Sequence, residues 1–240
     1  MHPLYHVSHR SAGNMSYHLG DEKETSANRT AFIALQKVPA EQVVAAHLSG
    51  NRRVHEVGRH QWGAGVFKAE DAVPADILVS KDPETFLFIN VADCLALGFF
   101  DRENHICALT HAGYRGVSRH MPRQTVEWMV DHYGSNPQKI HVRVSPAIHK
   151  ECYAFPDRTL FRATAWDEYL YPALGGGFHA DWIRFALDEL AKCGIHSRNI
   201  QQSHFNTYTN HYFYSHQRQI EQKALEEPEK GNYGVLAGWE

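Results

Sequence analysis

Residues 86–116 read FLFINVADCLALGFFDRENHICALTHAGYRG. Phe86–Val91 and Leu95–Phe100 are short apolar runs bounded by polar residues, the pattern of strands buried on both faces. Asp101-Arg102-Glu103-Asn104 is a polar turn, and His105–Thr110 returns as a strand. The pattern therefore predicts a hairpin. Pairing across that turn carries Cys94 and His111, 17 positions apart in sequence, to the same end of a sheet. Strand ends that give way to loops are where open sheets commonly place their sites.

Outward from this hairpin, Val43–Ala46, the segment framed by Val54 and Val57, and Ile77–Val79 read as further extended pieces. After Gly116 the period changes. Val117, Met121, Val126 and Met129 suggest helix, restarted at Pro122, since proline suits an early helical position. A second helix is predicted over Phe178 to Cys193, with Gly194 as its C-terminal stop. Near the start, Ser26 is expected to cap a helix from Ala27 to about Gln36, with Phe32 and Leu35 turned inward. Gly175-Gly176-Gly177 reads as a loop, and Glu221–Lys230, with Pro228 inside it, as an exposed connection. Strands with interspersed helices indicate an α+β or mixed α/β fold. No linker or repeat divides the chain, so one domain over residues 1–240 is expected.

The chain has 43% hydrophobic and 21% charged residues and a formal net charge of -3, an ordinary globular balance without a general pull toward nucleic acid or anionic membrane. No apolar run approaches the ~18 residues of a membrane span. The first residues lack a signal-peptide core. Four cysteines, at 94, 107, 152 and 193, form no CxxC pair, and a reducing cytoplasmic setting is the expectation. The 18 histidines are the compositional oddity, and most are scattered. No glycine-rich phosphate loop or GxSxG elbow occurs, which weakens nucleotide-triphosphate and α/β-hydrolase readings.

Two chemistries use a cysteine and a histidine brought together in this way. They can be ligands of zinc or copper, given a third protein ligand and an open position. Alternatively, the imidazole activates the thiol as a nucleophile. The plain structural alternative is a small buried thiol beside a strand-end histidine. Gly113 and Gly116 permit close backbone approach to a ligand, and Arg115 offers a fork for phosphate or carboxylate.

Val91-Ala92-Asp93-Cys94 and His111-Ala112-Gly113-Tyr114-Arg115-Gly116 resemble the ADC…HAGWRG signature of the laccase-domain family. That family is also called the polyphenol oxidase or YfiH family, and its members are labelled purine nucleoside phosphorylases or peptidoglycan editing factors. Gly13-Asn14-Met15-Ser16, Asn28-Arg29, Ala75–Val79, Ser145–Ile148, Thr207–Asn210 and Phe213–Arg218 fall in family order. The resemblance implies a layered sandwich of mixed β-sheet flanked by helices. It also implies a zinc site, or copper in the oxidase reading, bound by two histidines and a cysteine. The implied activities are phosphorolysis of adenosine, inosine, guanosine or methylthioadenosine, and deamination of adenosine. Alternatives are a copper-dependent polyphenol oxidase, a thiol hydrolase on a peptidoglycan precursor, and a binding protein that has lost catalysis. The expected partners are a purine nucleoside and phosphate, with no nucleic acid or membrane, in a monomer or small homo-oligomer.

Carried residue by residue, Cys94 and His111 are the expected metal ligands and, with Arg115, the expected catalytic residues. Arg115, Asn206 and His216 are the expected substrate contacts. The family's first histidine, in a QVHG-type turn, falls here on Ser49 or Gly50. His47, two residues earlier and so on the same face of a strand, is expected to replace it, with His55 and His60 more distant candidates. Asn206 stands where the family often has cysteine, Asn232 where it usually has arginine, and Tyr114 in place of tryptophan.

Overall fold

The computed structural model describes residues 1–223 and 229–240. Its strands are β1 (Pro3–Val7), β2 (Val43–His47), β3 (Val54–Glu56), β4 (Val73–Pro74), β5 (Ile77–Ser80), β6 (Phe86–Val91) and β7 (Leu95–Asp101). They continue as β8 (Ile106–Ala112), β9 (His141–Val144), β10 (Ala154–Phe155), β11 (Leu170–Pro172), β12 (Phe178–Ala180), β13 (Ile200–Gln202) and β14 (Tyr233–Trp239). The α-helices are α1 (Glu22–Leu35), α2 (Tyr114–Val117), α3 (Met121–Tyr133), α4 (Trp182–Lys192) and α5 (His216–Glu221).

Two mixed sheets dominate, one in the order β1-β14-β6-β2-β4 and one in the order β13-β9-β7-β8-β5-β3. The reason lies in the apolar runs. Leu87, Ile89 and Val91 of β6 meet Ala96 and Phe100 of β7 and Cys107 and Leu109 of β8 between the sheets. The alternate residues serve the outer faces. Phe86 and Phe88 pack on Phe32 and Ile33 of α1. Leu95, Leu97 and Phe99 pack with Val126 and Met129 of α3 and Phe185 and Leu190 of α4. A strand buried on both faces must be apolar throughout, and the sandwich of helix, sheet, sheet and helix supplies that burial.

The hairpin forms as expected, with Leu95 opposite Ala112 and Asp101 opposite Ile106. Asp101 holds its turn by accepting hydrogen bonds from the backbone of Glu103 (2.9 Å) and Asn104 (3.2 Å). Cys107 lies in the core, fully buried.

Several boundaries differ from expectation. Helix α1 begins at Glu22, four residues before Ser26, because Asp21 accepts from the Glu24 N–H at 3.0 Å and Glu22 and Glu24 favour the positive end of the helix. Phe32 is buried, but Leu35 in the last turn is 76% exposed. Asp21→Ala is expected to cost about 1 kcal/mol, lowering the melting temperature by about 2–4 °C in a calorimetric scan. Phe178 belongs to β12, which pairs with β10 and β11, and α4 starts only at Trp182 after the cap Asp181. Pro122 is the second residue of α3, and Gly194 follows α4 at φ +93°. The connection expected over Glu221–Lys230 is only partly exposed, since Glu229 is buried against Arg218; positions 224–228 lie outside the described residues. Among the described residues no helix is long and apolar enough to cross a membrane.

Candidate active site

At the end of the β7–β8 hairpin the chain leaves β6 through Asp93, whose φ of +74° is a left-handed conformation that non-glycine residues seldom adopt. The turn is held by its side chain. Asp93 Oδ1 accepts from the Thr207 hydroxyl (2.5 Å), and Oδ2 accepts from the Ser215 hydroxyl (3.0 Å) and the Gln217 N–H (2.7 Å). Burial raises its pKa even so, against those three donors. Asp93 thereby sets the direction of Cys94. The thiol lies against Gly113, where an added Cβ would come within 2.8 Å of Cys94 Sγ and 3.9 Å of His111 Nε2. Gly113→Ala is accordingly expected to displace the thiol, read as a changed rate of Cys94 alkylation in a protein whose melting temperature moves by only a few degrees.

His111 stands in β8 opposite Ala96. Its Nδ1 lies 3.6 Å from Asp76 Oδ1, a gap too long for a hydrogen bond but close enough for an ion pair, and Nδ1 has no other partner. Burial disfavours the imidazolium, but Asp76 and the facing Cys94 thiol outweigh it and raise the pKa to about 9. Asp76 is fully buried. It accepts from the N–H groups of Gly50 and Arg52, both at 2.9 Å, and from the Ser49 hydroxyl at 3.4 Å. Burial pushes its pKa up, yet His111 and the Gly50 and Arg52 N–H groups prevail and hold it below the usual carboxylate value.

The result is a cysteine–histidine–aspartate cluster in the wall of a cavity of about 590 Å³. Arg52, Arg115, Arg119 and His216 also line it. None of the three arginines meets a carboxylate within 4 Å among the described residues. Of the residues expected from sequence, Cys94, His111, Arg115 and His216 come together here.

Others do not. His47 lines a separate cavity, its ring 5.1 Å from that of His18. His55 approaches Gln61 on β3, and His60 lies in the short turn after it. Asn206 braces a loop instead, its Oδ1 accepting from the Tyr208 N–H (3.1 Å) and its Nδ2 donating to Cys152 Sγ (3.2 Å). Asp76, Arg52 and Arg119 were not anticipated as site residues. The signals for Asp76 were its place in the family-order segment Ala75–Val79 and an acid set directly before a buried apolar strand.

The metal expected from the resemblance can be judged against this donor set. A catalytic zinc takes three protein ligands. Here a thiol and one imidazole are joined at the third position by the neutral Ser49 hydroxyl, already directed to Asp76. Among the described residues no three His, Cys, Asp or Glu side chains converge on a metal-sized space. The set Cys94, His111 and His47 is not assembled, and the residues present do not fit the expected zinc or copper site.

Fold and site together define a two-sheet sandwich with a cysteine–histidine cluster at the mouth of a cationic cavity. The chain belongs to the multi-copper polyphenol oxidoreductase laccase family, whose model matches residues 5–226. Purine nucleoside phosphorylase YlmD of Bacillus subtilis is 27% identical over 61% of this chain, a match spanning only 54% of that relative. Purine nucleoside phosphorylase YfiH of Escherichia coli is 26% identical, covering 85% of this chain and 80% of its own. Adenosine deaminase RL5, from an unknown prokaryotic organism, is 24% identical over 62% of this chain and 58% of its own. The crystal structure of YlmD from Geobacillus stearothermophilus superimposes with a TM-score of 0.89 at 22% identity, covering 99% of this chain and 92% of that one, and shows the shared fold.

Proposed function

We propose that this protein is a purine nucleoside phosphorylase whose reaction takes place in the Cys94–His111 cavity without a resident metal. The observation that carries the reading is the set of three carboxylate-free guanidinium groups beside the Cys94–His111–Asp76 cluster. Guanidinium forks bind phosphate oxygens by charge-assisted hydrogen bonds. In phosphorolysis a phosphate oxygen bonds to ribose C1′ while the C1′–N9 bond breaks. The bonding electron pair leaves with the purine, which takes up a proton. Arg115, beside the Tyr114 ring, is assigned to phosphate, and the His111 imidazolium, backed by Asp76, to the proton. Cys94 faces that ring and keeps it in place.

The test is base release from adenosine, inosine and methylthioadenosine, each with and without phosphate. Release that depends on phosphate and is lost in Cys94→Ala supports the reading. Release without phosphate, or ammonia release in place of base release, overturns it, as does activity indifferent to Cys94→Ala. Arg115→Ala is expected to raise KM for phosphate about 10- to 100-fold, the worth of a hydrogen bond to a charged group. Metal analysis of natively purified protein is expected to find well under one zinc or copper per chain, and stoichiometric metal would refute the metal-free assignment.

A second reading has its own observation. The order thiol, imidazole, carboxylate is also that of a cysteine nucleophile with its base and orienting acid. A covalent adduct on Cys94 trapped during turnover would favour it.

A further inference from the structure

The second sheet reaches further than the first. Tyr5 of β1, the outermost strand of the first sheet, lies over β7: its hydroxyl donates to the Ala96 carbonyl at 2.8 Å, and a Cβ added to Gly98 would meet its ring at 2.7 Å. Past β7 the second sheet continues through β9 to β13, and the first sheet has no further strand to cover them. Residues paired directly across strands share a face, so the row Leu109, Gly98, Arg143, Gln201 runs from the core between the sheets out onto this overhang. The alternate residues Val142 and Val144 face the other way, into the core beneath α3 and α4. The row turns polar where its cover ends.

Over Arg143 and Gln201 lies a cavity of about 420 Å³, within the ~300–1,000 Å³ of small-molecule sites. Val7 and His9 line it beyond Tyr5, as do Phe205 and Phe213, whose ring centroids are 6.0 Å apart. It shares no lining residue with the Cys94–His111 cavity, and no aspartate or glutamate lines it. Arg143 is half-buried there, with no carboxylate within 4 Å and no acceptor for its guanidinium among the described residues. Phe205 holds its ring 56% exposed. A partly desolvated cation calls for an anion, and an exposed ring calls for apolar cover. A metal cation would be repelled by Arg143. A wholly apolar molecule would strip water from the guanidinium and give it no partner. A flat ring that bears an oxyanion meets both demands, its oxygens on the guanidinium fork and its ring on Phe205.

We propose that this overhang is a second ligand site, for a small organic anion built of an aromatic ring carrying a carboxylate or a phosphate. It stands independently of the reaction assigned to the Cys94–His111 cavity. The test titrates benzoate and phenyl phosphate separately into the full chain and follows the histidine ring signals by NMR. His9 reports this cavity, while His111 and His216 report the other. Saturable movement of the His9 signal is expected with at least one of the two anions. Binding should weaken about 10- to 100-fold in Arg143→Gln, the worth of a hydrogen bond to a charged group, and about two- to tenfold in Phe205→Ala. Both side chains are accessible and hold no other element in place, so these variants keep the fold, which circular dichroism checks. The tighter of the two probes assigns the headgroup. Benzamide, of the same shape but uncharged, should bind at least about tenfold more weakly than benzoate or phenyl phosphate, whichever is tighter. Absence of saturation at His9 with both anions, unchanged affinity in either variant, or benzamide binding as tightly would overturn the proposal. So would a dimer in sedimentation that Phe205→Ala abolishes, because the overhang would then be covered by a second copy of the chain.

Discussion

Replacing His111 with alanine is expected to lower kcat for phosphate-dependent base release by about 10²- to 10⁴-fold, the usual contribution of a positioned proton donor. In the proposed reaction the leaving purine needs a proton as its bond to ribose breaks, and His111 is the cavity residue whose pKa is raised so that it carries one at neutral pH. KM for phosphate should change little, because the arginines remain. Arg115→Ala should do the reverse, raising KM with a smaller effect on kcat. This split distinguishes chemistry from binding. Equal losses in kcat and phosphate affinity for His111→Ala would remove the proton from the assignment. Circular dichroism must be near that of the parent, while some fall in melting temperature is expected because the buried Asp76 loses its cationic neighbour and keeps only the donors at Ser49, Gly50 and Arg52.

The largest stability effect is expected at Arg218. Its guanidinium is buried and donates to both Glu229 oxygens and to the carbonyls of Thr207 (2.7 Å), Tyr208 (2.6 Å) and Phe213 (2.5 Å). Arg218→Met leaves Glu229, with a side chain only 2% exposed, as a buried carboxylate without its main partner. Breaking such a pair from one side costs about 3–5 kcal/mol, or roughly 6–20 °C in melting temperature for a chain of this size. The double variant Arg218→Met/Glu229→Leu removes both charges and should recover a substantial part of the loss. If the single variant melts within 2 °C of the parent, a displacement smaller than this estimate allows, the pair is not the clamp described here. The same segment carries Thr207, Ser215 and Gln217, which hold Asp93, so the single variant should also alter Cys94 alkylation.

The expectation about His47 failed for an instructive reason. Residues two apart share a face only while the strand continues, and β2 ends at His47 itself. Beyond it the chain turns, so Ser49 faces Asp76 while His47 meets His18. The helix starts failed similarly. Asp21 and Asp181 outcompeted the apolar periodicity because a side-chain oxygen on a free N–H decides where a helix begins.

By itself, the amino-acid sequence determined the hairpin from Leu95 to Ala112, the family, and the meeting of Cys94 with His111. Those follow from local order, since apolar runs and a four-residue turn admit one pairing register. Tertiary structure alone decided what surrounds the pair. Asp76 reaches His111 because β5 pairs with β8, setting Ile77 opposite Thr110. Arg52 and Arg119 reach the same mouth from segments far apart in the chain. The charge around a thiol and an imidazole is a property of strand neighbours in space, and that charge separates a metal site from a cationic cavity.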